Sequence, residues 1–161
     1  MSPTPQVLIM GHSFVHRFHK FLAHGSERRV SLNLNLSRSA HIHYYGVRGR
    51  TVDKPSKYDL SEVGRLKPEI VILELGSNDL SYGEARPEQV GSKIESLVQL
   101  LHANYGVKFI AVCQTINRVL CLRSTPSYND RVALLNRYLS VVLEPLSLMF
   151  TYFVGWNPPQ S

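Results

Sequence analysis

The chain has 161 residues, the size of one compact α/β domain. Hydrophobic residues make up 43% and charged residues 19%, a globular mix that excludes a disordered tail. Eighteen Lys and Arg against twelve Asp and Glu give a formal charge of +6, which leaves nucleic acid open as a partner without establishing it.

In chain order, Val7-Leu8-Ile9-Met10 is a short apolar run that stops at Gly11, as a strand buried on both faces does. It is shorter than the apolar region of a signal peptide. Phe14, Phe18, Phe21 and Leu22 then mark one face of a helix over 13–24. Val30, Leu32, Leu34 and Leu36 alternate, which predicts an extra edge strand. Residues 42–47 read as the second strand, ending in the turn Gly46-Val47-Arg48-Gly49, and 59–66 as a short helix stopped before Pro68. The β-branched run 69–75 is the third strand and ends at Gly76. Pro87 opens a helix whose apolar stripe is Val90, Ile94, Leu97, Val98 and Leu101. Residues 107–113 form the fourth strand. Ser127 with Asp130 opens a helix that Pro145 closes, and 148–154 is the fifth strand before a tail over 155–161. Glu144 and Pro145 interrupt the longest apolar stretch, so no membrane span is expected.

Strands alternating with helices predict a three-layer αβα sandwich around a five-stranded, mainly parallel sheet in the flavodoxin-like order 2-1-3-4-5. The whole of 1–161 is then one domain, with flexible ends at 1–5 and 155–161. In that order the tips of the first three strands are neighbours, and Gly11-His12-Ser13, Gly46-Val47-Arg48-Gly49 and Gly76-Ser77-Asn78-Asp79 meet in one crevice. Acyl transfer needs a nucleophile on a sharp turn and donors aimed at the developing oxyanion. Ser13 supplies a hydroxyl and an N–H at a helix start. A glycine of the second turn brings its N–H close, and Asn78 offers a side-chain amide. Taken singly, Ser13 also reads as a helix cap and Asn78-Asp79 as a plain turn.

Three blocks carry a resemblance: Gly11-His12-Ser13 after an apolar strand; Gly46-Val47-Arg48-Gly49-Arg50-Thr51; and Lys67-Pro68, an apolar strand, then Gly76-Ser77-Asn78-Asp79. Together they resemble the SGNH (GDSL-like) hydrolases over residues 7–154, the third block most specifically. The resemblance implies hydrolysis of a small ester or acetylated substrate, without a cofactor or metal. Ser13 is then the nucleophile, and the Ser13 N–H, Gly49 and Asn78 are oxyanion donors, with Gly46 the alternative to Gly49. The Gly-His-Ser variant also resembles SGNH-like domains embedded in some retroelement polyproteins.

Two departures from the family pattern matter. The family has Asp where His12 stands, and the ring of His12, next to Ser13, is expected to diverge from the hydroxyl. The family's Asp-His pair follows the last strand, whereas residues 155–161 hold neither an acid nor a histidine. The expectation is a domain truncated at its C-terminus and catalytically impaired. Losing the base of a triad costs roughly 10⁶ in turnover. The alternative is a non-catalytic binding module of the same fold, for nucleic acid or a retroelement product.

The remaining candidates read more simply. His12, His16 and His19, with His41 and His43, sit at spacings that suit metal, but no acidic partner lies within the first cluster. Arg48, Arg50, Lys54 and Lys57 read as a solvated basic rim, with Arg28 and Arg29 elsewhere. Tyr44, Tyr45 and Tyr82 read equally as a stacking surface for a ligand or as sheet packing. Cys113 and Cys121 read as reduced thiols, which with the missing signal peptide point to an intracellular setting.

Overall fold

The computed structural model describes residues 3–24, 31–36, 39–53, 57–81, 84–118, 127–144 and 151–154. Ten elements follow in order: β1 (Gln6–Gly11), α1 (Ser13–His24), β2 (His41–Gly46), α2 (Lys57–Leu66), β3 (Ile70–Glu74), α3 (Ser77–Ser81), α4 (Pro87–Tyr105), β4 (Phe109–Cys113), α5 (Ser127–Leu143) and β5 (Thr151–Val154). β2, β1, β3 and β4 lie side by side in that order, all parallel, and β5 pairs parallel with the outer side of β4. Parallel neighbours need helical crossovers, so the sheet is flanked by helices. The register sets Gly11 of β1 level with Gly46 of β2 and Glu74 of β3. Three strand tips therefore end on one line.

The two faces of the sheet are unlike. Leu8, Met10, Val71, Leu73, Ile110 and Val112 join the core formed with Val63 of α2, the Val90–Leu101 stripe of α4, and Val132, Leu135 and Leu139 of α5. The alternate residues face α1. Gly46 allows that helix to close in, because a Cβ there would lie 2.2 Å from the backbone N of His16. Farther along the same face Ile9, Ile70 and Ile72 are only half-buried, and Phe109 is exposed.

Three expectations need correction. Residues 31–36 form turns instead of an edge strand: Leu34 N–H bonds Ser31 O at 2.9 Å and Leu36 N–H bonds Asn33 O at 2.8 Å. Leu34 and Asn35 there have positive φ, which no strand accommodates. The side chain of Asn33 lies along β2, accepting from Ile42 N–H at 2.9 Å and donating to Ala40 O at 2.7 Å. Residues 77–81, read as a turn, are the short helix α3, anchored by buried Asp79 and Leu80. Arg50 is no rim residue: it is buried, bonded to Asp59, and donates to Gly11 O at 3.3 Å. Val30, Arg28, Arg29, Lys54, Tyr82, Cys121, Pro145 and the tail 155–161 lie outside the described residues.

Candidate active site

β1 delivers Ser13 to the first position of α1, half-buried at the strand tip. The first turn of any helix leaves N–H groups without partners, and a serine commonly spends its hydroxyl on one of them. Here His12 does that work. Its Nδ1 accepts from Phe14 N–H at 3.3 Å and its carbonyl accepts from His16 N–H at 3.3 Å. The Ser13 hydroxyl makes no hydrogen bond among the described residues. It is left for other chemistry.

With Nδ1 an acceptor, the ring proton of neutral His12 sits on Nε2. Nε2 lies 2.9 Å from Glu74 Oε1 at the end of β3, within ion-pair distance although poorly aligned as a hydrogen bond. Both side chains are buried, and Glu74 Oε2 has no hydrogen-bond partner among the described residues. The ring is thus held between the first turn of α1 and the end of β3, away from solvent. Glu74 also bears on Cys113: burial first, and then this carboxylate, push the thiol up to about 11.

The second turn has Gly49 at φ +71°, with Arg50 N–H returning to Val47 O at 3.3 Å. A four-residue turn with a positive φ at its third position requires glycine there. A Cβ on Gly49 would meet nothing within 4 Å, so the residue faces open space, and its N–H has no partner among the described residues. Gly46 is different, pressed against α1 as described above. The two glycines that the sequence offers are separated by environment: one is a packing contact, the other an open turn.

Asn78 lies four residues past Glu74, in α3. Its Nδ2 donates to the carbonyl of Arg50 at 2.8 Å, which ties the second turn to the third and leaves one amide hydrogen unspent among the described residues. Asp79 repeats the tie, with Oδ1 accepting from Val52 N–H at 2.9 Å while Oδ2 is buried without a partner among the described residues. Burial raises the pKa of this carboxyl, against the opposing pull of the Val52 N–H. The register and these two bonds bring the turns bearing Ser13, Gly49 and Asn78 to neighbouring strand tips.

Residues that the sequence did not single out complete the surroundings. Asn129 and Asn136, seven apart on α5, each clamp the loop after β4. Asn136 exchanges two bonds of 2.9 Å with the backbone of Thr115, and Asn129 two of 3.0 Å with that of Arg118. The spacing of two helical turns is visible in the sequence, but its target across the fold is not. Of the histidines, His43 Nε2 sits 2.8 Å from Gln6 Oε1 and His19 stacks on Tyr44. Among the described residues no three His, Cys, Asp or Glu gather to hold a metal ion, and no helix is long and apolar enough to cross a membrane.

A family model for GDSL-like lipases and acylhydrolases matches residues 9–149. No curated protein matches the chain. Among solved structures, a carbohydrate acetylesterase family member from Sinorhizobium meliloti superposes with a TM-score of 0.71 at 18% identity, covering 94% of this chain and 83% of that one. A catalytic mutant of Axe2, an acetylxylan esterase from Geobacillus stearothermophilus, superposes with a TM-score of 0.66 at 16% identity, covering 96% of this chain and 78% of that one. At such identities the likeness is one of fold.

Proposed function

The chain belongs to the GDSL-like lipase/acylhydrolase family, and from that premise we propose that it is a serine ester hydrolase acting on small ester or acetylated substrates. Ser13 Oγ attacks the ester carbonyl, the alcohol leaves, and water releases the acyl group from Ser13. The Ser13 N–H, the Gly49 N–H and the spare hydrogen of Asn78 Nδ2 receive the oxyanion. The observation that carries this reading is the Ser13 hydroxyl, unspent among the described residues: His12 has taken over the capping role that would otherwise claim it.

His12 is no general base in this scheme, since Nδ1 faces Phe14 N–H and Nε2 faces Glu74. We place the base outside the described residues; without it Ser13 gives its proton to water and turns over slowly, with the oxyanion donors holding the developing charge. The test is hydrolysis of a short-chain aryl ester by this protein and by Ser13→Ala. Loss of the enzymatic rate in Ser13→Ala is expected, and Asn78→Ala is expected to lower kcat by about 10² to 10³. A rise in rate on appending a segment with Asp and His would identify that pair as the base. Equal background rates in protein and variant would reject catalysis and favour the second reading, a binding module of the same fold. The +6 charge is what favours that reading.

A further inference from the structure

Beside the proposed reacting centre, on the side toward β4, stands a guanidinium held in place before any ligand arrives. The backbone of Arg118 is clamped at both its N–H and its carbonyl by Asn129. Its guanidinium carbon sits 4.3 Å from the centre of the Tyr128 ring. Nη2 donates to Ser81 Oγ at 2.7 Å and to Ser77 Oγ at 3.3 Å. An exposed arginine normally loses side-chain entropy when fixed, and a carboxylate partner commonly offsets that loss. Among the described residues no carboxylate lies within ion-pair distance of Arg118.

The hydroxyls beneath it are arranged to match. Ser81 Oγ donates to Ser77 O at 2.7 Å and receives Arg118, so its proton is used. Ser77 Oγ accepts twice, from Arg118 and from Tyr128 OH at 3.1 Å. Two acceptances fill its lone pairs and leave its own O–H to donate outward. Among the described residues, the Ser77 O–H and the Nη1 and Nε of Arg118 are therefore donors without acceptors, at the residue next to Asn78.

We propose that Ser77 and Arg118 form an anion subsite, and that the ester substrate carries a carboxylate. One guanidinium and one hydroxyl balance a single negative charge, whereas a phosphate dianion would keep a charge uncompensated. The preset guanidinium lowers the ordering cost of binding, so the subsite acts on specificity. This rests on Ser13 and Asn78 being the reacting centre.

The test compares kcat/KM within two pairs of esters: 4-acetoxybenzoate against its methyl ester, and mono-4-nitrophenyl adipate against 4-nitrophenyl hexanoate. In at least one pair the anionic ester is expected to be preferred about tenfold, the effect of one charge-assisted contact. That ratio should fall toward one in Arg118→Gln, recover partly in Arg118→Lys, and shrink as salt is added. A general structural defect would lower both members of a pair and leave the ratio intact. Ser77→Ala, which removes only the hydroxyl, is the second variant should Arg118→Gln fail to fold. No preference in either pair, or a preference that both variants retain, overturns the subsite. If no ester is hydrolysed in a Ser13-dependent way, it is the hydrolase reading that fails. The subsite is then read by titrating 4-hydroxybenzoate against the amide resonances of Ser77 and Arg118. Shifts lost in Arg118→Gln support it, and their absence in the unmodified protein overturns it.

Discussion

Single atoms decide how the strand tips behave. Asp79 holds the second turn through one oxygen and buries the other without a partner among the described residues. Because burial raises its pKa above the ordinary value of 3.8, the folded protein binds this proton more tightly than the unfolded chain does. The stabilisation tied to that proton is fully present below the ordinary value and is lost as pH rises through the higher folded one. Asp79→Asn keeps an acceptor for Val52 N–H and abolishes the titration. Thermal melts from pH 4 to pH 8 should therefore show a smaller fall in Tm for Asp79→Asn than for the unmodified protein. Asp79→Ala, which orphans the Val52 N–H, should lower stability by about 1 to 3 kcal/mol at every pH. At this scale the sequence was only partly legible. It nominated Ser13 and Asn78, but serine's general liking for caps hid the fact that His12 caps α1. Which of two adjacent residues meets the first N–H groups depends on the angle at which β1 leaves the sheet. Arg50 misled for a related reason: its burial requires Asp59, whose approach no local pattern reveals.

Elements explain why two glycines three residues apart are not interchangeable. α1 lies directly on Gly46, so Gly46→Ala must drive the helix off β2 and should cost about 3 kcal/mol or more. Gly49→Ala meets open space and bears only the strain of φ +71°, about 1 kcal/mol. Urea melts of the two variants measure the difference. If the Gly49 N–H receives the oxyanion, ester hydrolysis should fall in Gly49→Ala by more than this small stability change explains. The long elements were readable because their periods are unambiguous: apolar runs ending in glycine for β1 and β3, and a stripe opened by proline for α4. The short ones were not. α3 has four polar residues and a single buried leucine, which no period of 3.6 can announce. The leucines at 32 and 36 alternate as in a strand yet stay exposed, because the chain turns at Leu34 and Asn35.

At the scale of the whole molecule, an all-parallel order puts the ends of β2, β1 and β3 on one rim, so the turns bearing positions 13, 49 and 78 follow neighbouring strand tips. That much follows from alternating strands and helices alone. Parallel order also gives the sheet an outer border at β2, where unpaired backbone groups invite another strand. Asn33 answers there with its amide, taking Ala40 O and Ile42 N–H as a neighbouring peptide would. Asn33→Ala is expected to speed hydrogen exchange of the Ile42 amide by about tenfold or more, measured by NMR, as its partner is withdrawn. The larger effect is on company. With that first rung vacant, strands from other molecules gain a foothold for end-on growth into filaments, so one small side chain helps to keep crowded copies of this protein in solution.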